Sequence, residues 1–177
     1  MLVINADGTV TVQLDLLTVR YVKDYAGAFI DHYTTNGCIQ NFVAADQVRQ
    51  DKIERGFLAE MAVAQYVNYD KKFSIVKPDR TDVDGIEVRS VDTMQKHLIT
   101  HKYDKQAPYV LAVSDVETAT VILRGWLPLQ DCNIDAHWWS HAPRPAYFTP
   151  ATVLHPMATL RDKYNQKKSD GKTWHLT

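Results

Sequence analysis

Asp82-Val83-Asp84-Gly85-Ile86-Glu87-Val88-Arg89-Ser90-Val91 is the stretch on which the reading of the fold turns. Asp84-Gly85 is a turn signal, because glycine takes positive φ without a Cβ penalty. Ile86, Val88 and Val91 are strand formers that suit a buried pleat. Side chains alternate along a strand, so Glu87 and Arg89 share one face while Ile86 and Val88 share the other. An acid and a base thus lie on the polar face of a strand that is apolar behind. Asp82 and Asp84 stand just upstream. Together these carboxylates can make a small oxygen-lined site for a hard divalent cation, with a fixed positive charge beside it. The plain alternative is a solvated salt bridge on an edge strand, worth little energetically. The rest of the chain bears on that choice.

The 177 residues make one domain by length, long enough for a substantial buried core. Apolar residues are 45% and charged residues 23%, ordinary values for a globular chain. The net charge of −1 gives no global attraction to nucleic acid or to an anionic membrane. A polyanionic partner then has to be held by a local patch or through a metal. Cys38 and Cys132 are far apart and show neither a disulfide framework nor metal spacing. A reducing, cytoplasmic setting is therefore expected. Met1-Leu2-Val3-Ile4-Asn5 lacks the features of a signal peptide, and no apolar run approaches the roughly 20 residues a membrane span needs.

Residues 1–15 read as an N-terminal hairpin that turns at Asp7-Gly8, with Val10, Val12 and Leu14 alternating against polar residues. Asp15 is placed to cap a helix from about Leu16 to Thr34, with Leu17, Tyr21, Tyr25 (or Ala28) and Phe29 on one stripe and Asn36-Gly37 as its stop. A second helix, capped by Asp46 or Asp51, runs to about Val67 with Ile53, Phe57, Met61 and Ala64 in line. Glu60 lies beside that stripe, one turn from Gly56, where a side-chain-less position admits close approach. A carboxylate at the margin of a buried stripe calls for a partner, either a metal ion or a base such as Arg55.

Phe73–Val76 reads as a short strand and 77–81 as the loop leading to the acidic turn. His97–Thr100, Tyr109–Val113 and Thr118–Trp126 read as further strands, the middle one apolar throughout and so central, the last ending at Gly125. The segment 131–150 reads as an aromatic loop that either seals a sheet edge, joins two copies in a homodimer, or stacks on bases. His137 and His141 have a zinc-compatible spacing, but Pro143 and Pro145 oppose a helix there and no third ligand is evident. Pro150–Leu160 reads as a terminal helix, and 161–177 as a mobile, lysine-bearing tail. The fold class is α/β or α+β, a central mixed sheet flanked by helices.

A helical Glu, a loop Asp and a strand E-x-basic occur here in that order. Gly56-Phe57-Leu58-Ala59-Glu60, then Asp82 with Asp84 as its rival, then Glu87-Val88-Arg89 resemble the motifs of the PD-(D/E)xK nuclease superfamily. Gly125-Trp126, Trp138-Trp139, Pro145–Pro150 and Leu154 also resemble small nuclease-like proteins of phage and bacterial genomes. The resemblance spans roughly residues 53–160. It implies a restriction-endonuclease-like core, DNA as partner, a cytoplasmic setting and Mg²⁺ or Mn²⁺ as cofactor. It implies Glu60, Asp82 and Glu87 as metal ligands, Asp84 as an alternative ligand, and Glu60, Asp82, Glu87 and Arg89 as catalytic residues.

Two departures stand out. Asp82 and Glu87 are five residues apart, closer than in many members, so both can meet only if Asp84-Gly85 turns the chain back. Arg89 stands where the family has the lysine that orients or activates water. Arginine stays protonated and cannot accept a proton, although it pairs well with phosphate. The sequence thus supports two functions, a metal-dependent nuclease or a nuclease-like module that binds nucleic acid or a protein without cutting. A third possibility is a structural ion-pair cluster in a self-associating chain.

Overall fold

The computed structural model describes residues 1–35, 46–75, 81–141 and 144–171. Among the described residues, eight strands form two sheets, accompanied by four α-helices. The larger sheet runs β1 (Leu2–Ile4), β2 (Val10–Gln13), β6 (Thr120–Pro128), β5 (Pro108–Asp115), β3 (Glu87–Val91). Its neighbours are antiparallel except for β3 and β5, which run parallel with Glu87 opposite Tyr109. The sheet is therefore mixed, and the strand carrying Glu87 lies at its edge. The smaller antiparallel sheet is β4 (Leu98–Thr100), β8 (Ala146–Thr149), β7 (Trp138–Trp139). No described helix is long and apolar enough to cross a membrane.

The apolar run of β5 is explained by burial on both faces. Val110 and Ala112 join Val88, Val121 and Leu123 in the main core. Val10 and Val12 of β2, Val83 and Ile86 of the turn, and Trp126 join them, and the long helices α1 (Leu16–Thr35) and α2 (Asp46–Val67) and the last helix, α4 (Met157–Ser169), pack over this face. Tyr109 and Leu111 point the other way, into a second core with Leu98 and with Leu129 and Cys132 of the short helix α3 (Leu129–Cys132).

The N-terminal hairpin and α1 match the sequence reading, and Asp15 caps α1 by accepting from Thr18 N at 2.8 Å. The buried face of α1, however, is Val22 and Ala26, and Leu17 is 82% exposed. On α2 the buried apolar positions are Leu58, Ala59, Ala62, Val63, Ala64, Tyr66 and Val67, a face centred about one step round from the expected stripe, of which Ala64 is buried. Phe57 and Met61 are half-buried and pack at the margin. The expected stop at Asn36-Gly37 and the Asp46 side chain lie outside the described residues.

Other expectations are corrected. Phe73–Ile75 forms no strand, and its backbone is tied to α1 instead, Phe73 N donating to Tyr21 Oη at 2.9 Å. The sixth strand does not end at Gly125. Its register slips between Leu111 and Ala112 of its neighbour, leaving a bulge, and it continues to Pro128. Gly125 has φ +147°, and a Cβ there would meet His155 O and Leu154 Cβ at 2.7 Å. It is needed for close approach of the 154–155 backbone, which bridges Trp126. The segment 131–150, read as loop, contains the β7–β8 hairpin. The terminal helix begins at Met157 and continues to Ser169, because Leu160 and Tyr164 at helical spacing are both buried. Residues 161–169 are thus helix rather than tail.

Candidate functional site

The site begins with the turn. Asp84 (φ 40°) and Gly85 (φ 90°) are both left-handed, the requirement of a two-residue hairpin turn. Val83 and Ile86 close it by exchanging backbone hydrogen bonds of 2.9 and 2.8 Å. Gly85 N also donates to Thr81 Oγ1 at 2.7 Å. The chain is folded back on itself, and Val88 N donates to Asp82 Oδ2 at 2.7 Å. The five-residue spacing therefore brings Asp82 beside the start of β3, as the turn requires.

Glu87 opens β3 with a side chain only 6% exposed. Lys105 Nζ lies 3.1 Å from its Oε1, and Arg89 Nη1 lies 3.5 Å from its Oε2. Burial and the Asp82 charge raise the Glu87 pKa, while Lys105 and Arg89 pull against them. Glu60 comes from α2, its side chain 15% exposed and paired at 3.4 Å with the buried Lys71. Burial first, and the Asp82 charge second, push the Glu60 carboxyl from an ordinary 4.5 up to about 8, with Glu87 adding to the repulsion. The Lys71 charge lowers it without overcoming these effects. The three carboxylates thus share one electrostatic neighbourhood.

Arg89 is in the same neighbourhood but is turned inward on the protein. Its Nη2 donates to Asp104 Oδ2 at 3.2 Å, and its guanidinium lies 4.9 Å from the Tyr109 ring centre. Asp84 faces elsewhere, accepting from Tyr164 Oη of α4 at 2.7 Å. Of the two rival aspartates, Asp82 is the one that neighbours Glu60 and Glu87.

Sequence reasoning missed Lys71, Lys105 and Asp104. Lys71 follows α2 and was indistinguishable from its basic neighbour Lys72, which is exposed and pairs with Asp70. Lys105 precedes β5 by three residues, and only the parallel register that sets Glu87 opposite Tyr109 puts it at the site. The expected partner of Glu60, Arg55, is replaced by Lys71. Gly56 has no described atom within 4 Å of where a Cβ would lie, so no close approach is made there by the described residues.

Glu60 and Asp82 border a recess of about 150 Å³ whose other walls include Tyr25, Phe29, Phe57 and Phe73. These rings pack on one another, Tyr25 and Phe73 stacked at 4.8 Å. The apolar wall lowers the local dielectric and accounts for the strong burial effect on Glu60.

Carboxylate oxygens are the donors that Mg²⁺ and Mn²⁺ prefer. Mutual repulsion among Glu60, Asp82 and Glu87 is the electrostatic condition a divalent ion would relieve, so the donor set fits such an ion in kind. Among the described residues no three His, Cys, Asp or Glu side chains already form a ligand group. A cation would therefore have to draw Glu60 and Glu87 away from Lys71 and Lys105. The histidine pair behaves differently. His137 Nδ1 sits between Cys132 O at 3.1 Å and Thr149 Oγ1 at 3.2 Å, where it ties the small sheet to α3. His141 contacts Ser140. No family model, curated protein or solved structure matches the chain.

Proposed function

We propose that this chain is a metal-dependent phosphodiesterase acting on DNA, built on a restriction-endonuclease-like core. The observation that carries the reading is the return of Asp82 to the start of β3, beside buried Glu87 and within the field of Glu60. Asp82 and Glu87 at a sheet edge, with Glu60 of α2 in their field and cations around them, suit the handling of a phosphate through a bound ion.

Glu60, Asp82 and Glu87 would hold Mg²⁺ or Mn²⁺. Such an ion, when bound, lowers the pKa of water and neutralises phosphate charge. The chain's own residues do the rest. Asp82 is fixed in orientation by Val88 N. Arg89, Lys105 and Lys71 supply positive charge around the carboxylates. The aromatic wall excludes water from one side of the recess. A local cationic site suits a chain whose net charge is only −1. The test is to incubate wild type and Glu87→Ala with plasmid and single-stranded DNA in Mg²⁺, Mn²⁺ or EDTA. Cutting that needs the metal and disappears with Glu87 supports the reading, and equal cutting by both proteins refutes it.

A second reading has its own observation. Arg89, at the position of the family's lysine, is engaged by Asp104, Glu87 and Tyr109. That suits a module of the same fold that binds nucleic acid without cutting it. DNA binding in EDTA that survives Glu87→Ala, without cleavage, would favour this second reading.

A further inference from the structure

We propose that Lys105 orients the attacking water and meets the phosphate, while Arg89 is a positioning residue that holds the Lys105 loop in place. The inference rests on the nuclease reading and assigns the cation that reading leaves open. Lys105 Nζ is 3.1 Å from Glu87 Oε1, and its side chain is 59% exposed, so it touches the buried carboxylate and reaches solvent at once. Lys71 is only 4% exposed and faces Glu60, so it does not reach a phosphate arriving from solvent.

The loop around Lys105 is anchored at three points. Tyr109 Oη donates to the Lys105 carbonyl at 3.1 Å. Asp104 Oδ2 accepts from His101 N at 3.0 Å and from Arg89 Nη2 at 3.2 Å. Arg89, 31% exposed, also contacts Glu87 and Val88 O and lies over Tyr109. A planar fork used this way sets geometry, whereas an ammonium on a flexible stem can follow a substrate. In the reaction, the water oxygen bonds to phosphorus and the bond from phosphorus to the leaving ester oxygen breaks. One water proton passes through solvent to the departing alkoxide, and the other stays with the new phosphate monoester.

The experiment compares wild type, Lys105→Met, Lys71→Met, Arg89→Ala and Arg89→Ala/Lys105→Met. Single-turnover DNA cleavage is measured in Mn²⁺, Mn²⁺ affinity by calorimetry, and melting temperature on the same samples. Lys105→Met should cut about 100-fold or more slower. Its Mn²⁺ affinity should be equal or tighter, because a cation competing for Glu87 is gone, and its melting temperature should hold. Arg89→Ala should slow cutting, and the double variant should be no slower than Lys105→Met, the mark of two residues acting as one unit. Lys105→Met cutting within about threefold of a competent wild type, or Lys71→Met alone abolishing cutting, overturns this inference and leaves the nuclease reading standing. A wild type that binds no Mn²⁺ and never cuts overturns both.

Discussion

Replacing Glu60 with Gln removes one titrating group from the most perturbed position in the site. In the folded chain Glu60 holds its proton up to about pH 8, against 4.5 for an ordinary glutamate. Between those values the folded state binds a proton that the unfolded state has released. Stability from this group is complete below about pH 4.5 and is lost as pH rises toward 8. At about 1.4 kcal/mol per pH unit, the gap caps the loss at about 5 kcal/mol. Relaxation around the Lys71 pair brings the expected change nearer 3 kcal/mol, an order-of-magnitude figure. The assay is urea denaturation of wild type and Glu60→Gln in EDTA from pH 5 to 9. Loss of the Lys71 partner shifts the whole variant curve, so the comparison is of slope rather than height. Wild type should lose stability with rising pH more steeply than the variant, which keeps the contributions of the same sign from Glu87 and, toward pH 9, from the buried Cys132 thiol. Parallel curves for the two proteins would refute the account of Glu60.

Other expectations follow from single residues. Asp82→Asn should abolish metal-dependent cutting while Asp84→Asn leaves it within about twofold, since Asp84 is turned to Tyr164; oligonucleotide cleavage reads both, and equal losses would contradict the assignment. Gly125→Ala should destabilise the fold by about 2–4 kcal/mol, because backbone and Leu154 lie 2.7 Å from the new methyl at a φ few side chains adopt; thermal melting checks it. Leu58→Ala should cost about 2–5 kcal/mol, since that side chain is 1% exposed in the main core. Denaturant midpoints with an unchanged m-value measure that loss.

Much of this structure is legible in local sequence. Asp84-Gly85 takes positive φ at both residues and Asp7-Gly8 at the glycine, angles that few other residues accept, and both turns form. Tyr109–Val113 reads as a central strand because both its faces are apolar, and both faces are buried. What local pattern cannot supply is the partner across space. Periodicity assigned α1 and α2 their length, yet of the stripe positions it gave only Ala64 is fully buried, because Tyr25, Phe29 and Phe57 pack on one another at the margin of the core. Gly125 reads as an end from its residue type alone. Only the neighbouring 154–155 segment, some thirty residues on, makes it a bulge. The site divides the same way. Glu60, Asp82, Glu87 and Arg89 were readable as an ordered series of residue types. Lys71, Lys105 and Asp104 became visible only through packing, since a charged residue in a connecting segment carries no signal that distinguishes one role from another.

The most direct test of the central claim is anomalous diffraction from a crystal grown or soaked in millimolar Mn²⁺. The account predicts an anomalous peak held by Asp82 and Glu87, with Glu60 turned toward it and Lys105 displaced from Glu87. A structure in which Lys71 and Lys105 keep Glu60 and Glu87, with no peak among the three carboxylates, would contradict it.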